Sequence, residues 1–427
     1  MTANSLNSIP WARTKKFIFL FFFIYFVWHF LFSPDLYVMM FGYNESVFNW
    51  FDKFYMPIGL WLNDYILHFA FDKETFQPES VIDFSEHLFF ILASLLIASI
   101  WFFLDRKRKS YNDLHFWLTI LLRLALSIIT VGYGIEKLIP VQMPTPNLYQ
   151  LTNSLGNQNG LLWPLLGVGK TYQMFSGALE IIAALLILHN RTLVLGLMML
   201  AGIYLNVCMM NYSFSVGVLY FATFLLLVTL FLLYPYVKQL TKIFILQQPT
   251  TLKAINNSNS KYKINKLLLI ALGILFVTAF TFNTAGAFKQ YQKNIISKKK
   301  TQIYKVDVQI VNTDTLQAIE NSKSRWRYWM EYEIENKKAI IIFSMDINNR
   351  MRYYYSKDTL NHQIILFPQK VEGAMQGTDT LNYLLKPNGQ LEIKGDLNGK
   401  SNTILLHSFS IDSFPLLQRK PHFFPTE

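Results

Sequence analysis

Apolar residues fall in long unbroken blocks over the first two thirds of the chain and in alternation over the last third. A helix that crosses a bilayer needs about 20 apolar residues. Blocks of that length lie near 17–40, 84–104, 115–137, 171–189, 192–212, 217–235 and 265–287, which predicts about seven spans. A further stretch, FYMPIGLWLNDYILHFAF (54–71), carries Pro57, Asn63 and Asp64 and reads as interfacial or re-entrant. From about 301 the period changes to two, as in TQIYKVDVQIV and KAIIIFSMDI. Asn-Gly at 388–389 and 398–399 supplies the positive φ angles of tight hairpin turns. Residues 301–427 are therefore expected to form an antiparallel β domain, a sandwich or partly open barrel. RWRYWMEYEIE (325–335) is expected as a strand packing one face and paired at its edge, with its aromatics as a second candidate role in binding.

Composition supports a bilayer. Of 427 residues 52% are hydrophobic and only 15% charged, where a soluble domain carries nearer a quarter. The net charge of +12 comes from lysines and arginines beside apolar blocks, so it reads as topology control and not as a nucleic-acid footprint. The basic groups recur in alternate connections: Arg13, Lys15 and Lys16, then DRKRK (105–109), then Arg191, then Lys238 to Lys266. Opposite connections are acidic or, as in 145–160, uncharged. The positive-inside rule then places the N-terminus in the cytoplasm and residues after about 288 outside a bacterial inner membrane. Lys289, Lys293 and KKK (298–300) run against that assignment. The basic lead and the uninterrupted run to Phe32, with no small-residue cleavage site, read as a retained helix. The single Cys208 excludes an internal disulfide and a thiolate zinc site.

The organisation that follows is an N-terminal helical hairpin with its interfacial segment (1–110), a four-helix bundle (111–240), a basic loop (241–264), a last span (265–288) and the β domain (301–427). Charge inside the spans is the informative exception, because an ionisable side chain there faces protein or a cavity. With the two blocks antiparallel, Arg123 and Glu180 each fall ~13 Å above the cytoplasmic side at 1.5 Å per residue, which predicts that they pair. Ser127, Thr130 and Gly134 share the arginine's face, and Gln173, Ser176 and Gly177 share the glutamate's. Asn206 and Asn211 add amides from the next span. The result is a polar seam, read either as a ligand site or as a helix-to-helix clasp. Glu136 and Lys137 fall ~32 Å along their helix, at the level where a lysine snorkels into water. Lys170 after Gly167 and Gly169 is a weak candidate for a phosphate headgroup. His29, His68, His87, His115 and His189 are scattered in sequence, His29 and Glu86 meet only by chance of packing, and no metal site is assigned.

Several of these stretches, YGIEKLIPVQMP (133–144), LLGVGKTYQMFSGALEIIAALLIL (165–188), RT (191–192) and LNVCMMNYSF (205–214), together with Arg123, resemble the DoxX-like membrane proteins. The likeness is to the longer Bacteroidetes-type forms with an added β domain and covers roughly 115–235, a DoxX-like four-helix unit. By that resemblance Arg123, Tyr133, Gly134, Lys137, Pro140, Gln142, Tyr172, Phe175, Gly177, Glu180, Arg191, Asn206 and Asn211 hold motif positions. After the asparagine the family pattern has an acidic residue and a lysine, where this chain reads FSVGVLY with Ser215 and Leu219. Some DoxX and DoxD relatives are associated with quinone-linked oxidoreductases, so a quinone is the cofactor the resemblance implies. The expected function is an accessory protein that binds a hydrophobic or headgroup-bearing molecule in the bundle and docks a redox or envelope partner through the β domain. The rivals are a membrane subunit of a quinone-linked oxidoreductase, whose redox centre would sit on a partner, and a lipid or small-solute transporter. The lack of an evident inverted repeat weighs against a carrier. Membrane lipid is an expected partner and nucleic acid is not.

Overall fold

The computed structural model describes residues 10–32, 53, 57–58, 61–67, 78–153, 158–252, 266–334, 337–346, 349–368, 378–387, 389–397 and 399–418. Half of the 54–71 segment, His68, most of the acidic residues of 35–83, Lys253, Lys261, Lys263 and both turn asparagines, Asn388 and Asn398, lie outside these described residues. The chain divides into two compact units. One comprises 1–142 and 172–288, the other 143–171 and 289–427.

The first unit is helical. It contains α1 (Arg13–Phe32), α2 (Pro78–Leu104), α3 (Asn112–Leu138), most of α6 (Lys170–Leu188), α7 (Leu193–Ser213), α8 (Leu219–Leu233), the short α9 (Val237–Phe244) and the first part of α10 (Lys266–Lys300). Among the described residues seven helical runs are long and apolar enough to cross a membrane, the sixth continuing from α8 through α9 (Leu219–Phe244). Their surfaces carry many exposed leucines, isoleucines and phenylalanines, as lipid-facing helices do. The predicted blocks match these helices, with ends moved by several residues. The last helix runs on to Lys300, well past its apolar stretch.

Close backbone approach sets the register of α3 against α6. A Cβ on Gly177 would lie 2.5 Å from Gly134 O, and one on Gly134 would lie 2.9 Å from Gly177 O. Only glycine fits at either position. Ser127 Oγ donates to Ala184 O at 2.8 Å, two turns further along the same pair of helices. Proline stops α3: after Leu138 the chain turns into Pro140, with Val141 N and Gln142 N both donating to Glu136 O at 3.0 and 3.2 Å.

The second unit is a closed β-barrel with the connection between α3 and α6 packed on it. The strands are β1 (Gln302–Val311), β2 (Asp314–Thr315), β3 (Trp326–Ile334), β4 (Lys337–Ser344), β5 (Arg350–Asp358), β6 (Gln363–Pro368), β7 (Asp379–Leu385), β8 (Leu391–Leu397) and β9 (Lys400–Ser408). They run in order β2-β1-β3-β4-β5-β6-β7-β8-β9, all neighbours antiparallel, and β1 also pairs with β9 from Tyr304↔Ser408 to Val311↔Asn402. That last pairing closes an eight-stranded barrel with the two-residue β2 appended. Closure removes the sheet edges that a sandwich or open barrel would leave. The interior is filled by Trp329, Ile340, Ile342, Ile364, Leu366 and Leu381, all at 0% exposure, with others of their kind. The β8–β9 hairpin has the expected two-residue turn, Leu397↔Lys400, with Gly399 at φ 74°.

β3 is not an edge strand. It pairs with β1 and β4, and both its faces are covered: Trp326 and Trp329 point into the barrel, while Tyr328 packs outside it with Ile303, Ile341 and Leu148. Leu148 belongs to α4 (Leu148–Asn153), which with α5 (Gln158–Val168) forms the α3–α6 connection. Tyr149 lies under the Arg350 guanidinium at 4.0 Å. After β9, Phe409 and Phe414 close the same outer cluster, and α11 (Pro415–Gln418) follows.

Candidate functional site

The geometry selects a pair that the depth argument does not. Lys137 Nζ donates to Glu180 Oε1 at 2.5 Å, with the lysine 9% and the glutamate 4% exposed. The two residues sit beside the Gly134–Gly177 crossing, on helices running in opposite directions. Side chains lean toward the N-terminus of their own helix. Lys137 therefore leans back toward the level of Gly134, Glu180 toward that of Gly177, and the two meet. The Tyr133 ring lies 5.8 Å from the ammonium. Glu180 Oε2 is also buried and has no hydrogen-bond partner among the described residues.

The predicted Arg123–Glu180 pair is not formed. Arg123 donates from Nε to Ile187 O at 2.9 Å, from one terminal nitrogen to Leu188 O at 2.8 Å and from the other to Asn190 Oδ1 at 2.9 Å. It caps the C-terminus of α6, where last-turn carbonyls have no helical partner and the helix dipole favours a cation. The equal-depth argument assumed flush helix ends. Arg123 is already roughly three turns into α3 where it reaches the last residues of α6. Lys137, expected to snorkel, is instead buried, because Glu180 offers it a nearer counter-charge than the surface does.

The remaining candidates separate into buried and exposed. Gln173 is buried two turns before Glu180 on the same face of α6. Gln142 Oε1 and Asn211 Nδ2 are buried, each without a hydrogen-bond partner among the described residues. Lys170, Tyr172 and Asn206 are exposed, so they do not line a buried seam. Asn206 fails because residues 206 and 211 are five apart on α7 and face different directions. Thr130 and Tyr204 form a buried hydroxyl pair at 2.6 Å between α3 and α7.

Two polar centres were missed from sequence. His29, expected to stand apart, has its ring 4.8 Å from that of His87, with buried Glu86 beside it in sequence. In the barrel, Glu331 is 4% exposed and receives Trp329 Nε1–H at 3.1 Å on Oε1 and the Tyr355 hydroxyl at 3.2 Å on Oε2. Lys357 Nζ stands 3.9 Å from the same Oε2 and 4.7 Å over the Tyr383 ring. Burial, and then the neighbouring Glu331 carboxylate, push the Tyr355 phenol well above its ordinary range. The one sequence signal for this network was the aromatic–acidic run YWMEYEIE (328–335). Among the described residues, no group of three or more His, Cys, Asp or Glu is placed to hold a metal ion.

Helices of membrane-crossing length, a buried lysine–carboxylate pair between two of them and a closed barrel define a multi-pass membrane protein with a β-barrel domain. Over 114 residues the chain is 32% identical to the uncharacterized protein YwoB of Bacillus subtilis (strain 168), an overlap of 26% of this chain and 72% of that protein. The chain belongs to the family of YwoB. No family model matches it, and no solved structure does.

Proposed function

We propose that the chain is a DoxX-like accessory protein of the bacterial inner membrane that binds an amphiphilic molecule at Lys137 and Glu180 and docks a partner through its barrel. The observation that carries this reading is the second oxygen of Glu180. A buried carboxylate oxygen without a donor costs several kcal/mol in a low-dielectric setting. A headgroup bearing a hydroxyl or N–H would supply that donor, and apolar tails would lie along the exposed apolar faces of the helices.

Two packings support a cytoplasmic N-terminus and an outer barrel. Trp11 N donates to Lys109 O at 2.9 Å and Lys16 Nζ to Arg108 O at 2.6 Å, which groups the N-terminal end with the basic loop after α2. Leu148 and Tyr149, from the uncharged connection after α3, pack in one unit with the barrel. Seven crossings give that same parity. Two of the discordant lysines are neutralised: Lys298 pairs with Asp412 at 2.9 Å and Lys300 with Glu333 at 3.0 Å.

The test is mass spectrometry of small molecules retained by the full chain purified in mild detergent, compared with Glu180→Gln. Retention of one amphiphile class by the wild type, reduced at least about tenfold in the variant (about 1.4 kcal/mol), supports the reading. A quinone in that class would favour the redox-subunit form of it. Equal retention by both proteins overturns it.

A further inference from the structure

Asn206 is an amide on the outer face of a helix of membrane-crossing length. It lies before the end of α7 at Ser213, about 10 Å inside that end at 1.5 Å per residue. The residue is exposed, and its carboxamide has no hydrogen-bond partner among the described residues. Hydrocarbon supplies none, and an amide left unbonded there is costly. The hydroxyls of Thr223 and Thr281, also exposed on such helices, avoid that cost within their own helix. Thr223 Oγ1 donates to Leu219 O at 2.8 Å and Thr281 Oγ1 to Val277 O at 3.0 Å. Asn206 has no such bond.

One turn before Asn206, on the same exposed face of α7, stands Gly202. A Cβ there would meet nothing within 4 Å, whereas one on Gly134, Gly177 or Gly196 would meet an atom of the chain at under 3.0 Å. Packing inside the chain accounts for those three glycines and not for Gly202. Glycine weakens a helix, and at a contact between membrane helices it lets a second backbone come close. Leu195, Met198, Leu205 and Met209 continue the exposed face on either side.

A partner for this face must bring both a donor and an acceptor to the depth of Asn206. A carboxamide carries its own complement, N–H donors and a C=O acceptor. Two copies of the chain cross the membrane the same way, so a twofold axis along the membrane normal sets equal residues at equal depth. Across that axis two Asn206 side chains satisfy each other with a pair of N–H···O=C bonds. We propose that this face of α7 is a self-association surface, on which two copies of the chain pair through Asn206 with Gly202 admitting the second helix. The pairing is independent of Lys137 and Glu180.

Energy transfer between donor- and acceptor-labelled copies of the full chain in lipid vesicles, followed as the vesicles are diluted with lipid, tests this. Transfer above that of random mixing is expected for the wild type. Asn206→Leu is expected to need about tenfold more protein per lipid for the same transfer, as the loss of an interhelical amide pair allows. Asn206→Gln, which keeps the carboxamide, is expected to stay within about twofold of the wild type. In a Cys208→Ser background, Leu205→Cys should cross-link between copies on oxidation and Ile274→Cys, exposed on α10, should not. A wild type that never exceeds random mixing overturns the proposal, whatever else binds the amide. So does an Asn206→Leu protein that associates as the wild type does, or cross-linking through Ile274→Cys that matches that through Leu205→Cys.

Discussion

Two buried carboxylates, one in each unit, are held in different ways. Glu331 in the barrel has a donor on each oxygen, Trp329 on one and Tyr355 on the other, with Lys357 at 3.9 Å. Glu180 in the bundle has Lys137 on one oxygen, and the other is without a partner among the described residues. A carboxylate with a donor on each oxygen has neither oxygen left unsatisfied and can serve the fold alone. One with an oxygen to spare keeps capacity for something that is not part of the chain. The contrast sets a filled network apart from the open oxygen on which the proposed binding rests.

The comparison can be broken at its strongest point first. Lys137→Met leaves Glu180 buried without its counter-charge and is expected to destabilise the bundle by about 3–5 kcal/mol. Adding Glu180→Met should return most of that loss, since an apolar pair replaces an ion pair. Unfolding in denaturant, followed by helical circular dichroism, measures both, and a double variant as unstable as the single one contradicts the pairing. Gly177→Ala comes next. Its Cβ would lie 2.5 Å from a backbone oxygen, and about 1–3 kcal/mol of overpacking is expected. The same assay reads it, with Gly202→Ala, which meets nothing within 4 Å, as the control.

Smaller effects sharpen the barrel side. Tyr355→Phe removes one hydrogen bond to Glu331 and should cost about 1 kcal/mol near neutral pH. Its pH dependence has a definite sign. The phenol's folded pKa lies above its unfolded value, so its contribution is complete below the unfolded value of about 10. That contribution is lost as the pH rises from there through the folded value. Stability of the wild-type barrel, followed by near-ultraviolet circular dichroism, should fall across that alkaline range by more than that of Tyr355→Phe. Parallel curves would contradict the assignment.

Much of this architecture was legible in the residues. Apolar blocks of spanning length can form little else in a lipid setting, and alternation after 301 with a turn at 398–399 can form little but hairpins. Barrel closure was not legible, because the β1–β9 pairing joins residues about a hundred positions apart and leaves no local pattern. The site was half legible. Glu180, Lys137 and the small residues between them stood out as polar or tiny in apolar runs. Choosing Arg123 as the partner failed because residue counts give depth along a helix and neglect both the offset of the helix ends and the backward lean of side chains. His29 and His87 were missed for a related reason: they lie on different helices, and spacing along a chain cannot show which helices are neighbours.

The most direct test of the bundle site is to strip bound amphiphiles from the full chain by detergent exchange and add the extracted material back, following bundle unfolding. With the extract at about a hundred times its dissociation constant, the wild-type bundle should gain about 2.7 kcal/mol and Glu180→Gln almost none. Equal gains in the two proteins would show that the open oxygen of Glu180 holds no ligand.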